Sequence, residues 1–342
     1  MRATPTAVRA CTLLGGTDKK IILTTKKRWT TLKAIKFLII IFIITTLTFI
    51  FSGCQFVCAS TYYYDATKFG LSTTNTGEEN SKALQELIDS LPLNETIYIP
   101  SGEYKFAEIG QQSIGSHCIK MRSNVNIVGD GDSTVLLPVG DSKYGLDMFY
   151  FNELLDSGSA TYLENCIFKN FVIDAAGTSS EVYTSAGKGF MFNLYKNCHW
   201  ENVTVKNTDA TGFGMDCPIN CTIINCKAIN CGKAATTKSN GASGFGIGFG
   251  YDDRENIQIV NCVSIGSKKF GFFFEHQGRF NSELYQANKT DGFLVDNCEA
   301  DNNYYNFGGI VARDVTYSNC ASKDYIKDDF YFEDSENCII NN

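Results

Sequence analysis

Histidine is scarce in this chain, with three in 342 residues, and no Cys-x-x-Cys pair occurs among its 14 cysteines. A zinc centre of ordinary Cys/His spacing is thereby excluded. Long hydrophobic runs are missing as well. The longest, Phe37–Phe51, is shorter than the ~20 residues a spanning helix needs. Any membrane contact is therefore confined to the N-terminal segment. Basic charge is thin beyond that segment. Residues 1–59 hold nine Lys/Arg and one Asp, which leaves 21 basic and 36 acidic residues and a net charge of −15. A nucleic-acid partner is excluded on this balance. A polyanionic glycan is disfavoured unless a cation such as Ca²⁺ bridges the two. Proline is low at 5 and helical spacing is rare, whereas glycine is plentiful at 30. Hydrophobic residues at 44% and charged residues at 20% describe a globular protein.

The N-terminus has the features of an export signal. A basic flank precedes the Phe37–Phe51 run, and small residues follow it. Cleavage is expected after Ala59. Phe51-Ser52-Gly53-Cys54 is similar to a lipobox and offers Cys54 as a lipid anchor. An uncleaved anchor is the third reading. The expected organisation is a signal or anchor over residues 1–59 and one folded unit over 60–342, secreted or held at the cell surface.

What is present is a repeat. Asn220-Cys-Thr-Ile-Ile-Asn-Cys226 returns in altered form at Asn165, Asn197, Asn256, Gly292, Asp314 and Asn337. The sixth position is always Asn, at 170, 202, 225, 261, 297, 319 and 342. The spacings are 32, 23, 36, 36, 22 and 23. The short ones give the basic period and the long ones carry loop insertions, the signature of stacked supersecondary units. Cysteine occupies fixed slots: 166, 198, 221 and 338 in one, 226, 262, 298 and 320 in another. Cysteines so placed stack as small buried thiols rather than forming a disulfide framework. The chain stops within a repeat, so a truncation or a covering partner is expected at that end.

Taken in order, Tyr62–Gly70 reads as an opening strand. Glu79–Leu91 reads as a helix with Ala83, Leu84, Leu87, Ile88 and Leu91 on one face, ended by Pro92. From Asn165 each unit predicts three short strands with Asn at the turns, a residue that tolerates left-handed dihedrals. In the unit at Asn197, Cys198 and Trp200 point inward and His199 and Glu201 outward. The third strand of each unit is rich in Phe and Gly. The repeats are neither leucine-rich nor half helical, which argues against a leucine-rich solenoid. The fold class expected is all-β, a right-handed parallel β-helix with a short N-terminal capping helix.

Three pieces of the chain carry a resemblance: Ser81–Ile88, Ile97–Tyr104 and Ser123–Gly131 are similar to the N-terminal coils of the pectate lyase superfamily. It extends over about residues 62–342 and implies the β-helix fold. That fold hosts lyases, hydrolases, epimerases and non-enzymes. It also implies that a substrate lies along the Phe/Gly strands, walled by the loops on either side.

The long loops Gly232–Ser243 and Glu275–Asp291 fall on neighbouring coils and so predict the groove. Its floor is expected to hold Asp216, Gly246, Gly248, Phe273 and Glu275, and its rim Tyr251, Asp252, Asp253, Arg254, His276 and Arg279. Glu275, Asp253, Asp216 and His276 are the catalytic candidates. Tyr251, Asp252, Arg254, Lys268, Phe273 and Arg279 are the substrate-binding ones. Coils lie about 4.8 Å apart. Asp253 and Glu275 are then expected about 5 Å apart if in register, and Asp216 and Glu275 near 10 Å. Retaining glycosidases use the shorter separation and inverting ones roughly 6.5–9.5 Å. A lyase would instead need a base such as His276, Arg279 or Lys268, with Ca²⁺ or an arginine neutralising a uronate carboxylate. Asn207-Thr208-Asp209 resembles the Asn-Thr-Asp of polygalacturonases. Phe270–Gln277 resembles the Tyr-Gly-Phe-Asp-Pro-His-Glu-Gln of alginate C5-epimerases, with Phe273 in place of the Asp and Glu275 in place of the His. The expected function is a polysaccharide lyase or glycoside hydrolase. A non-catalytic glycan-binding surface module and a uronan C5-epimerase are the alternatives.

Overall fold

The computed structural model describes residues 63–112, 115–184 and 186–341. The expected signal over 1–59 and the lipidation candidate Cys54 lie outside them. Among the described residues no helix is long and apolar enough to cross a membrane.

Short parallel strands dominate. They assemble into a sixteen-stranded and a ten-stranded sheet, parallel throughout except where Gly110–Gln111 pairs with Ser116–Lys120. Each full coil places two strands in the larger sheet and one in the smaller. Cys221–Ile224, Lys227–Ile229 and Phe245–Phe249 make one such coil. Asn225 stands between the first two at φ 55°. The same left-handed corner recurs at Asn165, Asn170, Asn197, Asn202, Asn220, Asn261, Asn297 and Asn319. Asn is tolerated there because its short amide side chain finds a local partner. At Asn165, Asn197, Asn202, Asn220 and Asn297 that partner is the asparagine of the previous coil. Asn197 Nδ2 donates to Asn165 Oδ1 at 3.2 Å, and Asn220 Nδ2 to Asn197 Oδ1 at 2.8 Å.

The smaller sheet carries the site, and seven of its ten strands are named here: β1 (Leu146–Phe151), β2 (Phe190–Lys196), β3 (Phe213–Ile219), β4 (Phe245–Phe249), β5 (Phe270–His276), β6 (Asn303–Ile310) and β7 (Tyr325–Glu333). Register puts Phe149, Phe190, Phe213, Phe245, Phe272, Phe307 and Phe330 in one inward column. Their neighbouring rings are 4.7–5.5 Å apart. Each fully buried Phe contributes roughly 1.5–3 kcal/mol. Trp200 is buried against Phe168 at 5.4 Å, while His199 and Glu201 of the same strand face outward.

The helix, α1, runs over Gly77–Ser90, two residues ahead of expectation. A capping box sets its start: Thr76 accepts from the Glu79 N–H, and Glu79 from the Thr76 N–H. Leu84, Leu87 and Ile88 join the coil's core. Gln85 donates to the Lys120 carbonyl at 3.0 Å and accepts from its N–H at 2.8 Å, so α1 covers a strand edge that no further coil of the described residues pairs. The opening strand is shorter than expected. Tyr63–Asp65 is extended, and Ala66–Phe69 is a 3₁₀ turn because Asp65 caps the Thr67 N–H.

Candidate functional site

Outward residues of the smaller sheet fall into two rows. One is Tyr150, Met191, Gly214, Gly246, Phe273, Gly308 and Tyr331. The other is Asn193, Asp216, Gly248, Glu275, Ile310 and Glu333. Gly246 and Gly248 leave the middle coil bare. A cavity of about 600 Å³ opens there. Met191, Gly214, Gly246 and Phe273 form its floor. Asp216, Glu275, Gln277 and Arg279 stand along one side, and Tyr183, Lys188, Thr211, Lys238 and Asn240 along the other. The second of these walls comes from three segments: the loop before β2, the turn before β3 and the loop before β4.

Asp216, Gly246, Gly248, Phe273, Glu275 and Arg279 therefore meet in one groove. Asp253 does not. β4 ends at Phe249, Gly250 turns the chain at φ 117°, and the residue of β4 that pairs with both Asp216 and Glu275 is Gly248. Asp253 is exposed on the following turn and lines a separate cavity with Tyr251, Asp252, Arg254 and Lys289. Arg254 is held there by both carboxylate oxygens of Asp252, at 2.8 and 2.6 Å. The expected 5 Å pair is thus replaced by Asp216 and Glu275, two coils apart. His276 belongs to the next row and is turned away from the groove. Its Nδ1 accepts from the Gly278 N–H at 2.9 Å, so Nε2 donates to the Ala287 carbonyl at 2.9 Å. Lys268 is exposed at the corner before β5, outside the groove lining. In Asn207-Thr208-Asp209, Asn207 is a left-handed corner bonded to Asp174, and Asp209 accepts from Thr178 Oγ1 at 3.0 Å. Those three residues build the turn that precedes β3.

Glu275 is 8% exposed. Burial pushes its carboxyl up to about 7, and the Asp216 charge adds to the rise. Arg279 and Lys188 oppose it without cancelling it. Arg279 Nη1 lies 3.0 Å from Glu275 Oε1, as an ion pair without hydrogen-bond alignment. Asp216 is also raised by burial, and it accepts from the Gly248 N–H at 3.0 Å. A Cβ on Gly248 would fall 2.2 Å from Asp216 Oδ1 and 2.4 Å from Gln277 Nε2, so a larger residue there would displace both side chains.

Sequence reasoning did not find Lys188, Tyr183 or Asp147. Lys188 lies across Gly214, and its Nζ is 3.1 Å from Met191 Sδ. Asp147, fully buried, accepts from the Gly187 and Lys188 N–H groups at 2.8 and 2.7 Å and from Gln112 at 2.6 Å. Burial raises that carboxyl to about 6. It fixes the backbone that presents Lys188. Tyr183 overhangs the cavity with its hydroxyl buried and unbonded. All three precede the first repeat-like Phe/Gly strand, so no periodic signal marks them.

Among the described residues no group of three or more His, Cys, Asp or Glu side chains converges to hold a metal ion.

No family model matches the sequence. No curated protein matches it either. By fold the chain is similar to the A-modules of the mannuronan C-5 epimerases AlgE6 and AlgE4 of Azotobacter vinelandii, with 19% and 18% identity. The match covers 82% of this chain and 75% and 76% of those, with TM-scores of 0.53 and 0.52. It is also similar to the pre-mature gene product 12 of bacteriophage phi29, at 17% identity and a TM-score of 0.54, over 85% of this chain and 36% of that one. At such identities the likeness establishes the fold, a right-handed parallel β-helix, as the sequence predicted.

Proposed function

We propose that the groove binds a glycan and cleaves it hydrolytically, with Glu275 as general acid and Asp216 as the base that activates water. One observation carries this reading: the two carboxylates flank the bare Gly248 on the same row, two coils and so about 10 Å of backbone apart. Inverting glycosidases need a gap of roughly this size to admit a water beside the sugar. A carboxyl raised to about 7 keeps a proton to donate at neutral pH, which suits Glu275 to the acid role. Tyr183 and Lys188 face it from the opposite wall and are suited to hydrogen-bonding sugar hydroxyls. The structural neighbours include two epimerase modules named for mannuronan, which supports a glycan as ligand. We further propose export through the Phe37–Phe51 segment, to be checked by N-terminal sequencing of the secreted protein.

A binding role without turnover is favoured by the Arg279–Glu275 ion pair, which neutralises the carboxylate before any ligand arrives. One experiment separates these readings. A glycan panel is incubated with the wild type, Glu275→Gln and Asp216→Asn. Reducing ends, ultraviolet absorbance and the anomeric form of the product by NMR are recorded. Inverted product that both variants lose by at least about a hundredfold supports hydrolysis. Unsaturated product would mean elimination, and binding with no product the non-catalytic role. Undiminished turnover in Glu275→Gln removes the site assignment.

A further inference from the structure

Beyond Phe273 the outer face of the smaller sheet changes character. A second apolar cluster forms outside the coil, from Phe270, Phe273, Tyr305 and Ile310, with Tyr304 and Tyr331 half-buried against it. Phe270 stacks on Phe273 at 4.4 Å and Tyr305 on Tyr331 at 4.5 Å. Phe273 also floors the groove, so the cluster continues the groove toward the C-terminal coils.

Two ammonium groups converge on this cluster. Lys269 Nζ lies 5.4 and 5.2 Å from the ring centres of Tyr304 and Tyr305. Lys327 Nζ lies 5.8 and 5.2 Å from the same two rings. Burial lowers the pKa of the Lys269 ammonium, and the neighbouring Lys327 charge adds to the lowering. Among the described residues neither lysine is in an ion pair. Lys269 donates to the Thr237 carbonyl at 2.6 Å, and Lys327 to Tyr305 Oη at 2.8 Å. Each ammonium has three protons, so donors remain on both. The acids facing the pair are Asp328 and Glu333. Glu333 is engaged by the Tyr331 hydroxyl at 2.9 Å. Two cations fixed on aromatic faces outside any ion pair keep donors free for an external anion.

We infer that Lys269 and Lys327, with Tyr304 and Tyr331, form a binding site for the anionic substituent of an acidic sugar, whose ring rests on the tyrosines. The site names a substrate class, glycans bearing carboxylate or sulfate groups. On this proposal the two lysines supply the positive charge for which the sequence reading of a polyanionic glycan required a bridging cation. It rests on the groove being a glycan site but not on any chemistry at Glu275.

Binding is measured calorimetrically in the Glu275→Gln protein, so that turnover cannot intervene. The probes are an oligogalacturonate hexamer, its carboxyl-reduced neutral counterpart and inorganic sulfate. Tighter binding of the hexamer than of the reduced form, weakened by salt and lowered about tenfold in Lys269→Ala/Lys327→Ala, is the expected result. The double variant should leave binding of the reduced hexamer unchanged, which also shows that it folds. Equal binding of the charged and reduced hexamers overturns the proposal. So does unchanged hexamer affinity in the double variant. Sulfate binding as tightly as the hexamer overturns the sugar part and leaves a free-anion site. Loss of cleavage in Glu275→Gln with lysine-dependent binding intact bears only on the hydrolytic reading.

Discussion

Glu275 shows how burial sets both chemistry and stability at one residue. Its ordinary carboxyl value is 4.5 and the folded value about 7. Between these the native state holds a proton that the unfolded chain has lost. The native state then binds more protons, so stability falls as pH rises from about 4.5 to about 7 and levels off above. Glu255 adds to the same window. It is fully buried and raised to about 7, although three N–H groups donate to it. Glu275→Gln removes one such term. Unfolding free energy measured across pH should show a flatter curve for the variant, and a gain above pH 7 of at most on the order of 3 kcal/mol. Parallel curves for the two proteins over that window would refute the burial argument. Asp216, Phe273 and Glu275 were legible in the sequence because each sits at a fixed offset in a repeated strand, and Arg279 because it opens the long loop that follows one. Asp253 was misplaced because the turn at Gly250 has no counterpart in the neighbouring units. Lys188 and Tyr183 were illegible because they reach the groove from the loop inserted in the first unit, between Asn170 and Phe190, where the sequence has no periodic pattern.

The loop after β5 is the element that encloses the groove, and it is stapled rather than free. His276 ties Gly278 to Ala287. The Ala287 N–H donates to the Gly250 carbonyl at 2.8 Å, and Asn193 Nδ2 to Tyr285 Oη at 3.0 Å, across 92 residues of sequence. The last contact is why the loop's position could not be read from the sequence, whereas its length could. Removing the ring breaks two hydrogen bonds, worth about 1–3 kcal/mol of local order. His276→Ala should therefore be nicked faster by a protease within 279–290 while its global unfolding midpoint moves little. If the proposed function holds, KM should rise more than kcat falls, since Gln277 and Arg279 lose their placement. Unchanged nicking would show that the remaining contacts suffice. α1 gives a second element-scale test. Thr76→Ala removes its capping side chain and should lower stability by about 1 kcal/mol, read as a shift in denaturant midpoint.

At the scale of the whole molecule, the fold was legible because two small residues fix the corners and the core of every coil. Asparagine supplies the left-handed turn, and cysteine the small apolar group beside it. Fourteen cysteines in a chain proposed to be exported would ordinarily be read as disulfide-bonded, but stacking dictates otherwise. Parallel coils place Cys226, Cys262, Cys298 and Cys320 one above another with their side chains pointing the same way into the core. The thiols are engaged along the stack: the Cys226 N–H donates to Cys262 Sγ at 3.4 Å, and the Cys262 N–H to Cys298 Sγ at 3.3 Å. None of the eleven described cysteines is in a disulfide, and all but Cys338 are buried. Thiols at full depth are inert to alkylation until the coil opens. Treatment of the native protein with iodoacetamide, followed by peptide mass mapping, should label Cys338 slowly and leave the other ten unmodified. After unfolding in denaturant without reductant, all eleven should be labelled. Because each coil touches only its neighbours, opening should begin at an end and spread. Labelling at intermediate denaturant should then reach Cys320 and Cys298 before Cys226 and Cys198. Disulfide-linked peptides from the stack, or labelling of Cys226 in the native protein, would contradict the reading of these slots as packing positions.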